Sequence, residues 1–435
     1  MSNHSAYKGK LIAIDDAVSK IKSGDDIIVA MCASEPQGCM ERFHIIADSV
    51  QDVRVFSCLT LKPYEFFMKP EMRGRFELAS WFHAPGTREA LKSGTGTITF
   101  VPNMLSRAAS DRISVRQPDI FFGTCTPPDS HGYVSLSLGI TYEKDIIEAA
   151  RLIILEVNPR LPRTYGDTQL HIRDVDFFVE HYQEVPTLPA PTPSETDLMI
   201  GAHIASLVED GSTIQLGIGG IPNAAALALR DKKDLGVHTE MFVDSIMELY
   251  ELGVITNDRK SLKRGKFVTT FAMGSRKLYD WLDDNVAVEF QRGKWVNDPA
   301  VVAQNSRMVS INTCLSVDFT GQVASESLGP NQYSGTGGQS DTAQGAVSAT
   351  DGRGKSIIAC YSTARGGTVS TIQSTLSEGS AVTLHRSNVD HVVTEHGVAR
   401  LRGRTVRERT KALIAIADPK FRDELSAKAK TLNYI

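Results

Sequence analysis

A chain of 435 residues is too long for one ordinary core, which points to two domains. Hydrophobic residues make up 41% and charged residues 23%, an ordinary globular composition. The formal net charge of −4 argues against nucleic acid as a partner.

The N-terminus, Met1 to Lys10, is polar and has no apolar run leading to a small-residue cleavage site, which argues against a secretory signal. A helical pattern over Ile14 to Ile21 stops at Ser23-Gly24-Asp25 and is followed by an apolar strand, Ile27 to Ala30, and a loop containing Pro36. Further strands are predicted at Val53–Phe56, Asp119–Phe122 and Leu152–Leu155. From Pro186 to Pro193 there are four prolines in eight residues, too many for a helix or a central strand. The predicted organisation is therefore a domain over 1–185, a proline-rich linker over 186–197 and a second domain over 198–435.

The second domain opens as the first does. A helical pattern over Leu198 to Val208 stops at Asp210-Gly211-Ser212, and the strand Thr213 to Leu216 runs into a glycine-rich loop containing Pro222. Strands follow at Phe267–Thr270, Met308–Ile311 and Ser356–Ala359. Short apolar strands alternating with helices predict an α/β fold with mainly parallel sheets, and the repeated opening predicts two domains of related build. The longest apolar stretches are strand-length, so none is expected to cross a membrane. The six cysteines are scattered without a Cys-x-x-Cys pair and read as reduced thiols of a cytoplasmic protein.

The strongest local signal is Gly217-Ile218-Gly219-Gly220-Ile221-Pro222-Asn223, placed after a strand and before the helical run Ala224 to Leu229. Glycines there let backbone N–H groups crowd a ligand, and the helix N-terminus adds positive potential. A plain strand-to-helix turn would read the same way. A dinucleotide fingerprint is disfavoured because Pro222 stands where its third glycine belongs. A second loop, Ser334-Gly335-Thr336-Gly337-Gly338-Gln339, strengthens the ligand-cradle reading. Gly352-Arg353-Gly354-Lys355-Ser356 ends like a P-loop, but Ala349 replaces its first glycine, so a turn before a strand is expected. No serine has the glycine spacing of a nucleophile elbow, and the eleven histidines form no metal motif. Glu240, in His238-Thr239-Glu240-Met241, follows the first glycine loop, but spacing alone does not single it out among 51 acidic residues.

Several runs in one order change that reading: Thr126 to Tyr133, Glu156-Val157-Asn158, Gly217 to Asn223 and Thr239-Glu240-Met241, then Ser334 to Asp341, Ser362-Thr363-Ala364 and Thr394 to Ala399. With them the chain resembles, over nearly its whole length, the acetyl-CoA hydrolase/transferase family. The resemblance implies two CoA-transferase-type α/β domains, with Glu240 as a nucleophile that attacks acyl-CoA. It implies that Gly217, Ile218, Gly219, Gly220, Ile221, Ser334 and Gly338 contact CoA or stabilise an oxyanion, and that Arg365 aids binding of its anionic part. The expected partners are acyl-CoA and a small carboxylate. Coenzyme A then serves as substrate and covalent intermediate, with no metal or redox cofactor, and a homo-oligomer is expected. Transfer to 4-hydroxybutyrate, butyrate or a dicarboxylate, hydrolysis through the same intermediate, and non-catalytic CoA binding remain as alternatives. Three positions depart from the family pattern: Thr342 where phenylalanine is usual, Arg365 where lysine is common, and His396 where tyrosine is common.

Overall fold

A computed structural model of the chain describes residues 3–94 and 96–435. Two compact units emerge, the first from 1–188 with 269–295, the second from 189–268 with 296–435.

The first unit is built on a seven-stranded sheet. Across it lie Phe177–Glu180, Leu152–Val157, Ile120–Cys125, Asp26–Val29, Val53–Cys58, Phe76–Phe82 and Ile98–Phe100. Every neighbouring pair is parallel. The first strand sits centrally because the chain lays three strands to one side and then crosses back to lay three on the other. Both faces of such a sheet are covered, so Asp26–Val29 is buried at every position and its sequence does not alternate. Phe43, Phe66, Phe67, Phe76 and Phe122 share one core, with neighbouring rings 5.1–6.4 Å apart. Burying each ring contributes about 1.5–3 kcal/mol, which makes the sheet a rigid base for the loops at its ends.

Residues 269–295 belong with this unit, whereas the sequence suggested an uninterrupted second domain. Strand Val288–Phe290 runs parallel to Tyr165–Gly166, and the Gly293 N–H donates to the Thr141 carbonyl at 2.8 Å. Arg292 reaches the carboxylates of Asp145, Glu148 and Asp167 at 2.5–2.6 Å. No change of composition marks the segment. Long-range pairing assigns it.

The second unit carries a six-stranded sheet in the order Gly236–Val237, Thr213–Leu216, Met308–Thr313, Lys355–Ala359, His391–Thr394 and Gly397–Arg400. The strands are parallel except for the last, which is antiparallel to its neighbour. Here too the first strand of the unit is flanked by its successor on one side and by later strands on the other. The repeated opening read from the sequence thus supplies the same strand position in both sheets. The order reverses between Thr213–Leu216 and Met308–Thr313, and open α/β sheets bind ligands beyond their carboxyl ends at such a reversal.

Residues 181–194 form neither helix nor strand, as the prolines require. Helix Glu195–Leu207 begins directly afterwards because Ser194 and Asp197 form a capping box. Helices Val406–Ala415 and Arg422–Thr431 contribute Leu413, Leu425 and Ala429 to a core with Phe319, Val392 and Leu401. Among the described residues, no helix is long and apolar enough to cross a membrane.

Candidate active site

The short strand Gly236–Val237 releases His238, Thr239 and Glu240 at the carboxyl edge of the second unit's sheet. His238 is buried, and its Nε2–H donates to the Val296 carbonyl at 2.7 Å. Burial, reinforced by the charge of Lys260, pushes this imidazole down to about 3, so it is a neutral anchor. Thr239 donates its N–H to the Val268 carbonyl at 2.9 Å and its hydroxyl to the Met241 carbonyl at 3.1 Å. The residue after Val296 completes the clamp: Asn297, fully buried, donates Nδ2–H to Glu240 Oε2 at 2.7 Å.

The Gly338 N–H is a second donor to the same carboxylate. A Cβ on Gly338 would overlap Glu240 Oε2 and Asn297 Nδ2. Its φ of −99° is open to any residue, so glycine is needed here for close approach. Gly338 is also the N-cap of helix Gln339–Val347, whose N-terminal dipole favours negative charge at this point. Gln339 ties the helix to the end of strand Met308–Thr313 through a 2.9 Å bond from Nε2 to the Thr313 carbonyl.

The two donors do not keep the Glu240 carboxyl in the usual range. Burial, with the nearby Asp341 carboxylate adding to it, pushes it up to about 7. Solvent still reaches part of the residue. A partly desolvated carboxylate, held in one orientation by two N–H donors, is suited to nucleophilic attack on an acyl carbon.

Family models for the acetyl-CoA hydrolase/transferase N-terminal and C-terminal domains match residues 1–189 and 274–429. The 4-hydroxybutyrate coenzyme A transferase of Clostridium kluyveri is 42% identical over 98% of this chain and 98% of that protein. The chain belongs to the acetyl-CoA hydrolase/transferase family. Another relative, the succinyl-CoA:cyclohexane-1-carboxylate CoA transferase of Geobacter metallireducens, is 38% identical over 99% of this chain and 97% of its own. The crystal structure of RipA from Yersinia pestis superposes with a TM-score of 0.92 at 34% identity, covering 100% of both chains. The enzyme class is accordingly CoA-transferase.

Against that family background, the residues singled out in the sequence fall into separate groups. Glu240 and Gly338 meet, as described. Of the first glycine loop, only Gly217 to Gly219 lie outside helix Gly220–Ala228. Gly219 has φ +118° and must be glycine. Gly220 opens the helix against Asp197, whose carboxylate a Cβ would meet at 2.7 Å, so its glycine serves packing. The Ile221 side chain is buried in the core, while Ile218 stands 43% exposed at the loop tip. Around Gly217 there is open room, with Pro222 Cγ the nearest atom at 3.9 Å. Ser334 supports its own loop through a 3.3 Å bond to the Ser325 carbonyl. Arg365 sits exposed, with φ +50°, at the turn between paired strands Thr363–Ala364 and Val369–Ser370.

One of the departures, Thr342, has a local explanation, and nothing in the structure explains His396. Thr342 is buried and donates to the Gly338 carbonyl at 3.0 Å, in a polar cluster with Ser310, Asn312 and Gln215. A hydroxyl network therefore backs the Gly338 turn where an aromatic ring is usual. His396 is exposed beside Glu395, which instead accepts the Ser362 N–H and hydroxyl at 2.9 and 2.6 Å. Sequence reasoning missed Asn297 and assigned no role to Asp341. Nothing in Val296-Asn297-Asp298-Pro299 marks the asparagine, because its partner lies 57 residues away.

Proposed function

We propose that this CoA-transferase moves CoA from a short acyl-CoA to a small carboxylate through a thioester on Glu240. The observation that carries the proposal is the Glu240 carboxylate gripped by Asn297 and the Gly338 N–H at the carboxyl edge of the sheet. In the first step a Glu240 oxygen attacks the thioester carbonyl, the C–S bond breaks, and a mixed anhydride and CoA thiolate result. The thiolate then attacks the Glu240 carbonyl of the anhydride, giving glutamyl-CoA and releasing the first acid. The second carboxylate reverses both steps. Each step passes through a tetrahedral oxyanion, and the backbone N–H groups of the Gly217–Gly219 loop, with open room around Gly217, are suited to stabilise it. The Ser334–Gly338 loop and Arg365 complete the CoA site in this reading, with Arg365 meeting the anionic end.

Family members named for 4-hydroxybutyrate and for butyryl-CoA:acetate transfer support those short acids as the substrate class. A cytoplasmic homo-oligomer is part of the same proposal. The test is incubation with acyl-CoA and no acceptor, followed by mass spectrometry of the peptide containing Met241. CoA attached to Glu240, lost in Glu240→Ala together with all transfer, is the expected result. Wild-type-like transfer by the alanine variant would sink the mechanism, and rapid loss of the adduct to water would reassign the enzyme as a hydrolase. A screen of carboxylate acceptors, including succinate and itaconate, then settles the substrate.

A further inference from the structure

We propose that the second unit carries a second anion site, for a compact phosphate group, on the edge of its sheet opposite Glu240. A cavity of about 450 Å³ opens there, and Arg353, Lys355, His391, Arg400 and Arg402 line it. Lys355 and His391 are the first residues of their strands, and Arg400 ends the antiparallel strand that pairs with His391. Glu240 leaves the sheet at its carboxyl ends, so a strand length, roughly 16 Å for five residues, separates the two places. One small ion cannot occupy both.

Two acids also line the cavity, and one of them, Glu209, is held in ion pairs. Glu209 takes Arg353 and, at 3.0 Å, Lys355. Asp390 lies 3.0 Å from His391 Nδ1. The Arg400 and Arg402 guanidinium groups are exposed and have no ion-pair or hydrogen-bond partner among the described residues. His391 is only 8% exposed; its buried Nδ1 lies 3.0 Å from Asp390 without making a hydrogen bond, and its Nε2 has no partner among the described residues. A largely buried imidazole and two unpaired arginine forks thus share one polar cavity, in a chain whose net charge is −4. Guanidinium forks match phosphate oxygens in pairs, and a largely buried imidazole whose Nε2 lacks a partner gains from a ligand that supplies one.

The run Gly352-Arg353-Gly354-Lys355-Ser356 forms part of this wall. Two of its amides are already taken, the Gly352 N–H by the Ala349 carbonyl and the Arg353 N–H by Asp351. Side chains do the holding here.

The test is calorimetric titration of the full chain with inorganic phosphate and with pyrophosphate at constant ionic strength. One saturable site per chain is expected. Combining Arg400→Gln with Arg402→Gln should weaken it at least about tenfold without changing thermal unfolding, and Arg402→Lys alone should weaken it less. Saturating CoA should leave phosphate binding unchanged. No saturable binding by the wild type up to about 10 mM, near the weak end of measurable affinity, would overturn the proposal. So would equal binding by the double variant, or displacement by CoA, which would put the ion in the CoA site. Should the double variant unfold, Arg402→Gln alone carries the same comparison. None of these readouts depends on Glu240 chemistry.

Discussion

Asn297 and Glu240 form a 2.7 Å hydrogen bond from a fully buried amide to a carboxylate that solvent partly reaches. One residue earlier, the Val296 carbonyl receives His238, two residues before Glu240. The two bonds register one segment against the other, so the carboxylate oxygen is aimed by backbone as well as by side chain.

Losing the Asn297 amide should therefore misplace the proposed nucleophile more than it harms the fold. A hydrogen bond to a charged group is worth about 1.5–3 kcal/mol, so Asn297→Ala should lower kcat by roughly 10- to 150-fold. Asn297→Asp should do more harm near pH 7, since a second carboxylate there raises the Glu240 pKa further. Steady-state kinetics of both variants across pH check this, and an unchanged kcat in Asn297→Ala would remove the amide from the mechanism.

At Gly338 the constraint is steric. Gly338→Ala places a methyl group on the Glu240 oxygen and the Asn297 amide. Its backbone angles suit alanine, so folding should survive with a melting temperature within about 5 °C of wild type, whereas activity should fall at least about 100-fold. Parallel melting curves and turnover assays separate the two effects.

The pH profile follows from the carboxyl at about 7. In the proposed mechanism only the ionised form attacks, so kcat/KM should fall about tenfold per pH unit below that value. Asp341 contributes to the raised value, so Asp341→Asn should move the acid limb to lower pH. A limb that stays in place would mean that burial acts alone.

The same carboxyl should cost the fold stability. Its pKa is about 7 in the folded chain against an ordinary 4.5, so the native state holds its proton more tightly than the unfolded one. Its contribution to stability is full below pH 4.5, declines as pH rises to 7 and is constant above that. Glu240→Gln should therefore be more stable than wild type at pH 8, by roughly 1–3 kcal/mol, with the gap shrinking towards pH 5. Denaturant midpoints at the two pH values measure it; a gap independent of pH would contradict the burial of the charge.

Much of the frame is local in origin and so was legible in consecutive residues. The strand Thr213–Leu216 falls where its apolar run and the glycine stop before it predict, and the central strand of the first sheet spans Asp26–Val29 against an expected Ile27–Ala30. Strand periods, glycine stops and prolines act within a few residues of themselves, so the α/β alternation and the doubled opening follow from the sequence alone. Glu240 and Gly338 came from motif resemblance, since neither differs locally from many other acids and glycines.

Tertiary structure decided what depends on distant partners. Residues 269–295 join the first unit through Arg292 and strand pairing, which no local composition could announce. Asp197 lies against Gly220, and Glu240 lies against Gly338, contacts that no local run of residues records. Asn297 entered the site, and Asp341 raised the carboxyl, only when the sheet brought their segments to one edge. A hydrogen bond or a charge acts over a few ångströms of space, and the sequence records separation along the chain instead.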